Sequence, residues 1–346
     1  MSTASRLPVV VAALALFCAP LAVHAAPSAD EAAAPGRCTN PDLNLVVLGS
    51  AGPELNDQRA STSYLLREGD RARVLIDFGS GSSLRFEQAR AQIADLRGVL
   101  ISHLHVDHIN DLPALVKASF FSNRTQDLPI LGPSGNDSIP DTPTYIQRLF
   151  GEQGAYSYLS DFVSGDARFA LRPRAVDARV DASRQPAARR FDGQLGDFRI
   201  SAIGVSHGLL PALGWRIEKD GCSVVISGDT SNHGRTLDTL TEKADLFVAH
   251  NAVPQDSTDA IALRLHMPPA EIGRIAASTG VRHLLLAHLM QRTLLVQKQT
   301  ARAIGQSYRG PVQFARDGDV YRLQDGQRIG HLDDKTHPRT RPTPAR

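Results

Sequence analysis

The stretch His103-Leu104-His105-Val106-Asp107-His108, met directly after Gly98-Val99-Leu100-Ile101-Ser102, decides how the rest of the chain is read. Aliphatic and β-branched residues run up to Ser102, so the cluster falls where a buried strand gives way to a loop. In an extended segment His103 and His105 point the same way and can share one metal ion. The chain must then turn, which lets Asp107 and His108 face a second ion beside the first. Imidazole and carboxylate donors together suit zinc, with manganese or iron as further options. Three histidines and an aspartate within six residues separate this cluster from the lone surface histidine of an ordinary strand end.

Other apolar runs close on the same residue types. His207 follows the run 201–206, Asp229 follows Val224-Val225-Ile226-Ser227-Gly228, and His288 follows His283-Leu284-Leu285-Leu286-Ala287. Asp77 ends a further run, where its carboxylate serves either to hold the backbone of the metal loop or to cap a helix beginning near Ser83. Strands are expected at 43–48, 62–67, 73–77, 98–102, 128–131, 198–205, 213–217, 222–226, 246–249 and 283–287. Helices are expected at 84–94, from an Asp111 cap with Pro113 in the first turn to 121, and at 234–243, 269–278 and 294–304, with a last hairpin around Asp317-Gly318. Strands followed by helices occur twice. Two such halves packed sheet to sheet place both sets of strand ends on one edge.

The region 133–192 breaks this rhythm with several prolines and the aromatics Tyr145, Phe150, Tyr156, Tyr158 and Phe162. It reads either as an insertion overhanging the site and shaping a substrate pocket or as a helical decoration. The 346 residues are 42% hydrophobic and 21% charged, enough for one large α/β domain, and a net charge of +2 carries no global basic field. Arg6 followed by the short apolar stretch 8–21 reads as a secretory signal, with cleavage after Val23-His24-Ala25. The expected layout is signal 1–25, linker 26–42, one domain over 43–325 and a solvated tail 326–346. Removal of the signal leaves Cys38 and Cys222, either a disulfide, as an oxidising compartment favours, or two separate thiols.

Taken together, His103, His105, Asp107, His108, then His207, Asp229 in Gly228-Asp229-Thr230, and His288 resemble the signature of the metallo-β-lactamase superfamily, over roughly residues 43–325. The resemblance implies a four-layer αββα sandwich with two Zn2+ ions, Mn2+ or Fe being possible in their place. One ion takes His103, His105 and His207, the other Asp107, His108 and His288, and Asp229 bridges them. An aspartate rather than a cysteine at the bridging position is similar to the branch holding ribonuclease Z and its arylsulfatase-like and cyclic-nucleotide phosphodiesterase-like relatives. His266, in Leu265-His266-Met267-Pro268-Pro269, matches the histidine that donates a proton near the scissile phosphate in those relatives. Two departures stand out. His250 occurs in the stretch where ribonuclease Z carries a glutamate partner, and no Gly/Lys-rich arm for transfer RNA is found.

The expectation is thus a secreted or periplasmic binuclear zinc hydrolase of phosphodiester or aryl sulfate/phosphate esters, working through a metal-bridging hydroxide. Asp107 is expected to orient the nucleophile, His266 to protonate the leaving oxygen, and His250 and Asp77 to support the site or touch substrate. Alternatives are a lactonase or β-lactamase-type hydrolase, or a non-catalytic metal-binding member of the fold. The expected partner is a small-molecule ester, with no stable nucleic-acid partner, no membrane after signal cleavage, and an oligomeric state left open, a dimer included.

Overall fold

A computed structural model describes residues 38–180 and 190–332. The chain first lays down β1 (Leu43–Gly49), β2 (Ser63–Glu68), β3 (Arg71–Ile76), β4 (Gly98–Leu100), β5 (Leu128–Pro133) and β6 (Leu171–Val176). It then builds β7 (Phe191–Leu195), β8 (Phe198–His207), β9 (Leu210–Lys219), β10 (Cys222–Ile226), β11 (Leu246–His250), β12 (His283–Ala287) and β13 (Val312–Phe314), before β14 (Asp319–Arg322) and β15 (Arg328–His331). One sheet has the order β15-β14-β1-β2-β3-β4-β5-β6 and the other β13-β12-β11-β10-β9-β8-β7.

The period-two alternation of each strand sorts its side chains between two layers. Leu45 and Val47 of β1 meet Val224 and Ile226 of β10, Val248 of β11 and Leu285 of β12 in a core between the sheets. Their neighbours Val46 and Leu48 face outward against Phe86, Leu112, Leu115, Ile146 and Phe150 from the helices Ser82–Gln88, Leu112–Ala118 and Thr142–Phe150. On the far side Val225, Phe247, Leu284 and Leu286 pack on Leu237, Ile272, Ile275 and Ile304. Three apolar layers between four layers of structure make the expected αββα sandwich. Each fully buried Leu, Val or Ile contributes about 1.5–3 kcal/mol. Among the described residues, no helix is long and apolar enough to cross a membrane.

Several sequence expectations are corrected. Asp111 precedes its helix but makes no capping bond with its side chain, because its carboxylate instead accepts from Ser83 N and Ser83 Oγ, both at 2.8 Å. The helix at 84–94 stops at Gln88 and the one at 234–243 shrinks to Leu237–Leu240. Asp317-Gly318 is not a hairpin: β13 and β14 belong to different sheets, and the chain crosses between them there. The tail begins later than 326, since β15 pairs with β14 and Arg328 Nη1 donates to Asp319 Oδ1 at 3.1 Å. In the 133–192 region, Phe150 and Phe162 are buried in the outer layer and β6 extends the first sheet, so these elements complete the sandwich. Residues 1–37, 181–189 and 333–346, with the expected signal and most of the linker and tail, lie outside the described residues. Cys38 and Cys222 are joined in a disulfide across 184 residues.

Candidate metal centre

Parallel pairing brings the expected ligands to one edge. Ile76 of β3 lies opposite Leu100 of β4, so Asp77 and Ser102 emerge side by side. Val248 pairs with both Ile226 and Leu285, and His250 with Ala287, so the loops bearing Asp229 and His288 leave adjacent strands. The sheets are tied at this edge: Leu213 N donates to Ser102 O at 2.8 Å and Trp215 Nε1 to Ile101 O at 3.1 Å. Asp77 and His288 both sit in left-handed backbone, at φ 53° and 52°, the kind of strain that persists where surrounding structure over-determines it. Gly52 must lack a side chain, because a Cβ there would fall 2.7 Å from the His288 ring.

The result is a crowd of imidazoles around one carboxylate oxygen. Asp229 Oδ2 lies 3.2 Å from His288 Nε2, 3.6 Å from His108 Nε2, 3.7 Å from His207 Nε2, 3.8 Å from His103 Nε2 and 4.0 Å from His266 Nδ1. His105 Nδ1 lies 3.0 Å from His103 Nε2 and 3.3 Å from His207 Nε2. Asp107 Oδ2 lies 3.2 Å from His288 Nε2 and 3.5 Å from His108 Nε2. Two sets of donors, His103/His105/His207/Asp229 and His108/Asp229/His250/His288, each fall within 4.8 Å and share Asp229.

This arrangement fits divalent ions. Two donors on a tetrahedral ion at about 2.1 Å are about 3.4 Å apart, close to the His103–His105–His207 spacings. His108 Nε2 is buried, faces two carboxylates and has no hydrogen-bond partner of its own. Burial, and then the neighbouring imidazoles His108 and His207, holds His103 well below the usual histidine range, and burial likewise lowers His105 and His207. Such neutral imidazoles are what a metal requires. Burial would raise the carboxyls of Asp107 and Asp229, but His108 and His288 beside them hold both well below the carboxylate range. In return, and against their own burial, His108 is raised well above its ordinary value and His288 to about 9.

All the expected site residues converge here. Of the two roles open to Asp77, the structure selects the support of the metal loop: its carboxylate accepts from Ser102 N and Ser102 Oγ, both at 2.7 Å, and lies 2.8 Å from His108 Nδ1. His266 ends the helix Ala260–Leu265, and its Nδ1 is buried without a hydrogen-bond partner. His250 stands behind Asp229, its Nδ1 2.7 Å from Oδ1. Ser102 and Tyr64 were not expected. Ser102 was hidden as the last residue of an apolar run, and Tyr64 reads as any inward-facing strand residue. Beside His207 a cleft of about 280 Å³ is lined by Ser134, Asn136, Arg179, Ser206 and Leu209, which brings residues of the 133–192 region next to the site.

Residues 56–278 match the family model described as the Metallo-beta-lactamase superfamily, and the chain belongs to that family. It is a metal-dependent hydrolase by that membership. Ribonuclease Z of Mycobacterium bovis is 27% identical over 286 residues, covering 80% of this chain and 96% of that protein. Ribonuclease Z of Mycolicibacterium paratuberculosis is 28% identical over 298 residues, covering 82% and 98%. Among solved structures, human tRNase Z, short form, superposes with a TM-score of 0.60 at 20% identity, covering 81% of this chain and 99% of that one. The metallo-beta-lactamase fold protein YhfI from Bacillus subtilis gives 0.60 at 23%, with 81% and 99% covered.

These relatives overturn the expectation of a small-molecule ester partner in place of a nucleic acid, since the matches carry the names ribonuclease and tRNase. That expectation leaned on a net charge of +2 and the lack of a basic arm. Whole-chain charge is a poor guide where ions in the site itself can supply the positive field a phosphate meets.

Proposed function

We propose that this chain is an exported binuclear zinc phosphodiesterase, cleaving phosphodiester bonds of the kind that link nucleotides in RNA. The observation that carries the reading is Asp229 Oδ2, shared by two sets of imidazoles within 3.2–3.8 Å. His103, His105 and His207 would hold one ion and Asp107, His108 and His288 the other, with Asp229 within reach of both. Two zinc ions bound there supply a water acidified toward neutral pH and positive charge for the oxyanion that develops at phosphorus. The ribonuclease Z relatives at 27–28% identity support a phosphodiester as the bond attacked. The Cys38–Cys222 disulfide supports export, because such bonds persist in oxidising compartments.

The protein side of the reaction falls to a few groups. Asp107, at 7% exposure, is open enough to orient the attacking water while its Oδ2 stays against His288. His266 is 8% exposed at the wall of the site, and burial pushes its imidazole down to about 3, so it rests neutral. A phosphodiester anion placed beside it favours its protonated form, and that proton then goes to the leaving oxygen. The test is hydrolysis by zinc-loaded protein of bis(4-nitrophenyl) phosphate and of an oligoribonucleotide, with and without chelator. Cleavage of both, abolished by chelation and restored by zinc, is expected. Turnover of acyl esters or lactams with no phosphodiester cleavage contradicts it.

A further inference from the structure

We propose that Tyr64 and His250 form a buried brace that fixes the orientation of Asp229, with His250 a positioning residue and not a metal ligand. The inference rests on the reading of Asp229 as the shared carboxylate. Proximity alone argues the other way, because His250 falls within 4.8 Å of His108, Asp229 and His288 as a possible donor. The atoms involved separate the two roles.

Four imidazole nitrogens, those of His103, His108, His207 and His288, gather on Oδ2 of Asp229. His250 approaches the opposite oxygen, with Nδ1 2.7 Å from Oδ1. Its second nitrogen is also engaged, Nε2 lying 3.0 Å from the Tyr64 hydroxyl. Both side chains are buried, and so is the carboxylate. A carboxylate only accepts, so Nδ1 carries the proton; Nε2 of the neutral ring then offers its lone pair, and the Tyr64 hydroxyl donates to it. No nitrogen of His250 is left for an ion.

The brace is anchored from both sheets. Tyr64 projects from β2 into the core between the sheets, while His250 closes β11 in the facing sheet. The backbone N–H of His250 donates to Ser227 Oγ at 3.0 Å, and its ring stacks on His288 at 5.1 Å and 25°. The imidazole therefore has one position and one tautomer, and Asp229 has one rotation that satisfies it. With Oδ1 held from behind, Oδ2 stays on the ligand side. Asp107 then completes the second ligand set, with Oδ2 within 3.2–3.5 Å of His288 and His108. Partners behind a ligand typically contribute about 10–100-fold to metal affinity.

Nitrogen NMR of the metal-free protein, labelled at histidine and assigned by comparison with His250→Asn, reads the tautomer directly. A protonated Nδ1 and bare Nε2 are expected for His250, and the reverse tautomer overturns the brace. This readout stands whether or not the chain cleaves phosphodiesters. Zinc content and competition with a chelator of known affinity give the second test. His250→Asn keeps an amide donor where Nδ1 was, so it should bind zinc within a few-fold of the native chain. His250→Ala and Tyr64→Phe should each weaken it about 10–100-fold at unchanged saturating stoichiometry. One zinc fewer in both His250 variants makes His250 a ligand and overturns the proposal, and equal loss of affinity in Asn and Ala variants overturns the donor role.

Discussion

Oδ2 of Asp77 lies 2.8 Å from Nδ1 of His108, and the same carboxylate binds the Ser102 amide and hydroxyl at 2.7 Å each. A residue at the end of one strand thereby sets the ring direction of His108, in the helical turn Val106–Ile109 that follows the next strand, leaving its Nε2 aimed at Asp107 and Asp229. Asp77→Ala should weaken zinc binding about 10–100-fold. It also strips three buried donors of their acceptor, which costs about 1–3 kcal/mol for each one left unsatisfied. Chelator competition and thermal unfolding of the metal-free chain check the two effects separately. Unchanged zinc affinity would reduce Asp77 to a structural role.

Much of this centre was legible because its ligands close apolar runs. His103, His207, Asp229 and His288 each follow a β-branched or aliphatic stretch, and parallel pairing then aligns those ends in space. What could not be read depends on contacts between distant elements. The Asp111 carboxylate leaves its own helix for Ser83, 28 residues away, and nothing local marks that choice. Tyr64 alternates inward like Leu66, and its partner is 186 residues away. Asp317-Gly318 has the local chemistry of a hairpin turn, yet Asp317 instead accepts from Ser50 N at 3.0 Å and Ala60 N at 2.6 Å, fastening the crossover to the first sheet.

Zinc uptake should depend on pH with a definite sign. The carboxylates of Asp229 and Asp107 hold His288 at about 9, so it carries a proton at neutral pH, and they raise His108 in the same direction. An entering ion must displace that proton. Apparent affinity should therefore rise as pH goes from about 6 toward 9, with proton release in calorimetry run in buffers of different ionisation enthalpy. Affinity independent of pH over that window would contradict the charge pairing described for Asp107, Asp229 and the two histidines.

His266→Ala should retain bound zinc, since neither set of candidate donors around Asp229 includes His266, whose Nδ1 lies 4.0 Å from Oδ2. A proton donor matters in proportion to the basicity of the leaving group. The variant should slow an alkyl phosphodiester by about 10²–10⁴-fold and bis(4-nitrophenyl) phosphate far less. Equal slowing of both substrates would replace the acid role with one in positioning. Loss of metal would make His266 a ligand.

The disulfide closes 184 residues of chain, fastening Cys38 to the start of β10, where Thr39 N also donates to Asp220 O at 3.2 Å. Protein isolated from its host should show no free thiol after denaturation without reductant, and an N-terminus near Ala26. Two titratable thiols, or an intact segment 1–25, would remove the support for export. Cys38→Ser with Cys222→Ser should lower stability by about 2–5 kcal/mol in denaturant unfolding while leaving zinc stoichiometry unchanged.

Everything turns on two ions sharing one aspartate. Crystals grown with zinc, measured on both sides of the zinc absorption edge, give that answer without reference to any substrate. Two anomalous peaks per chain are expected flanking Asp229, one against His103, His105 and His207 and the other against Asp107, His108 and His288. A single peak at saturating zinc, or two peaks neither of which touches Asp229, would contradict it.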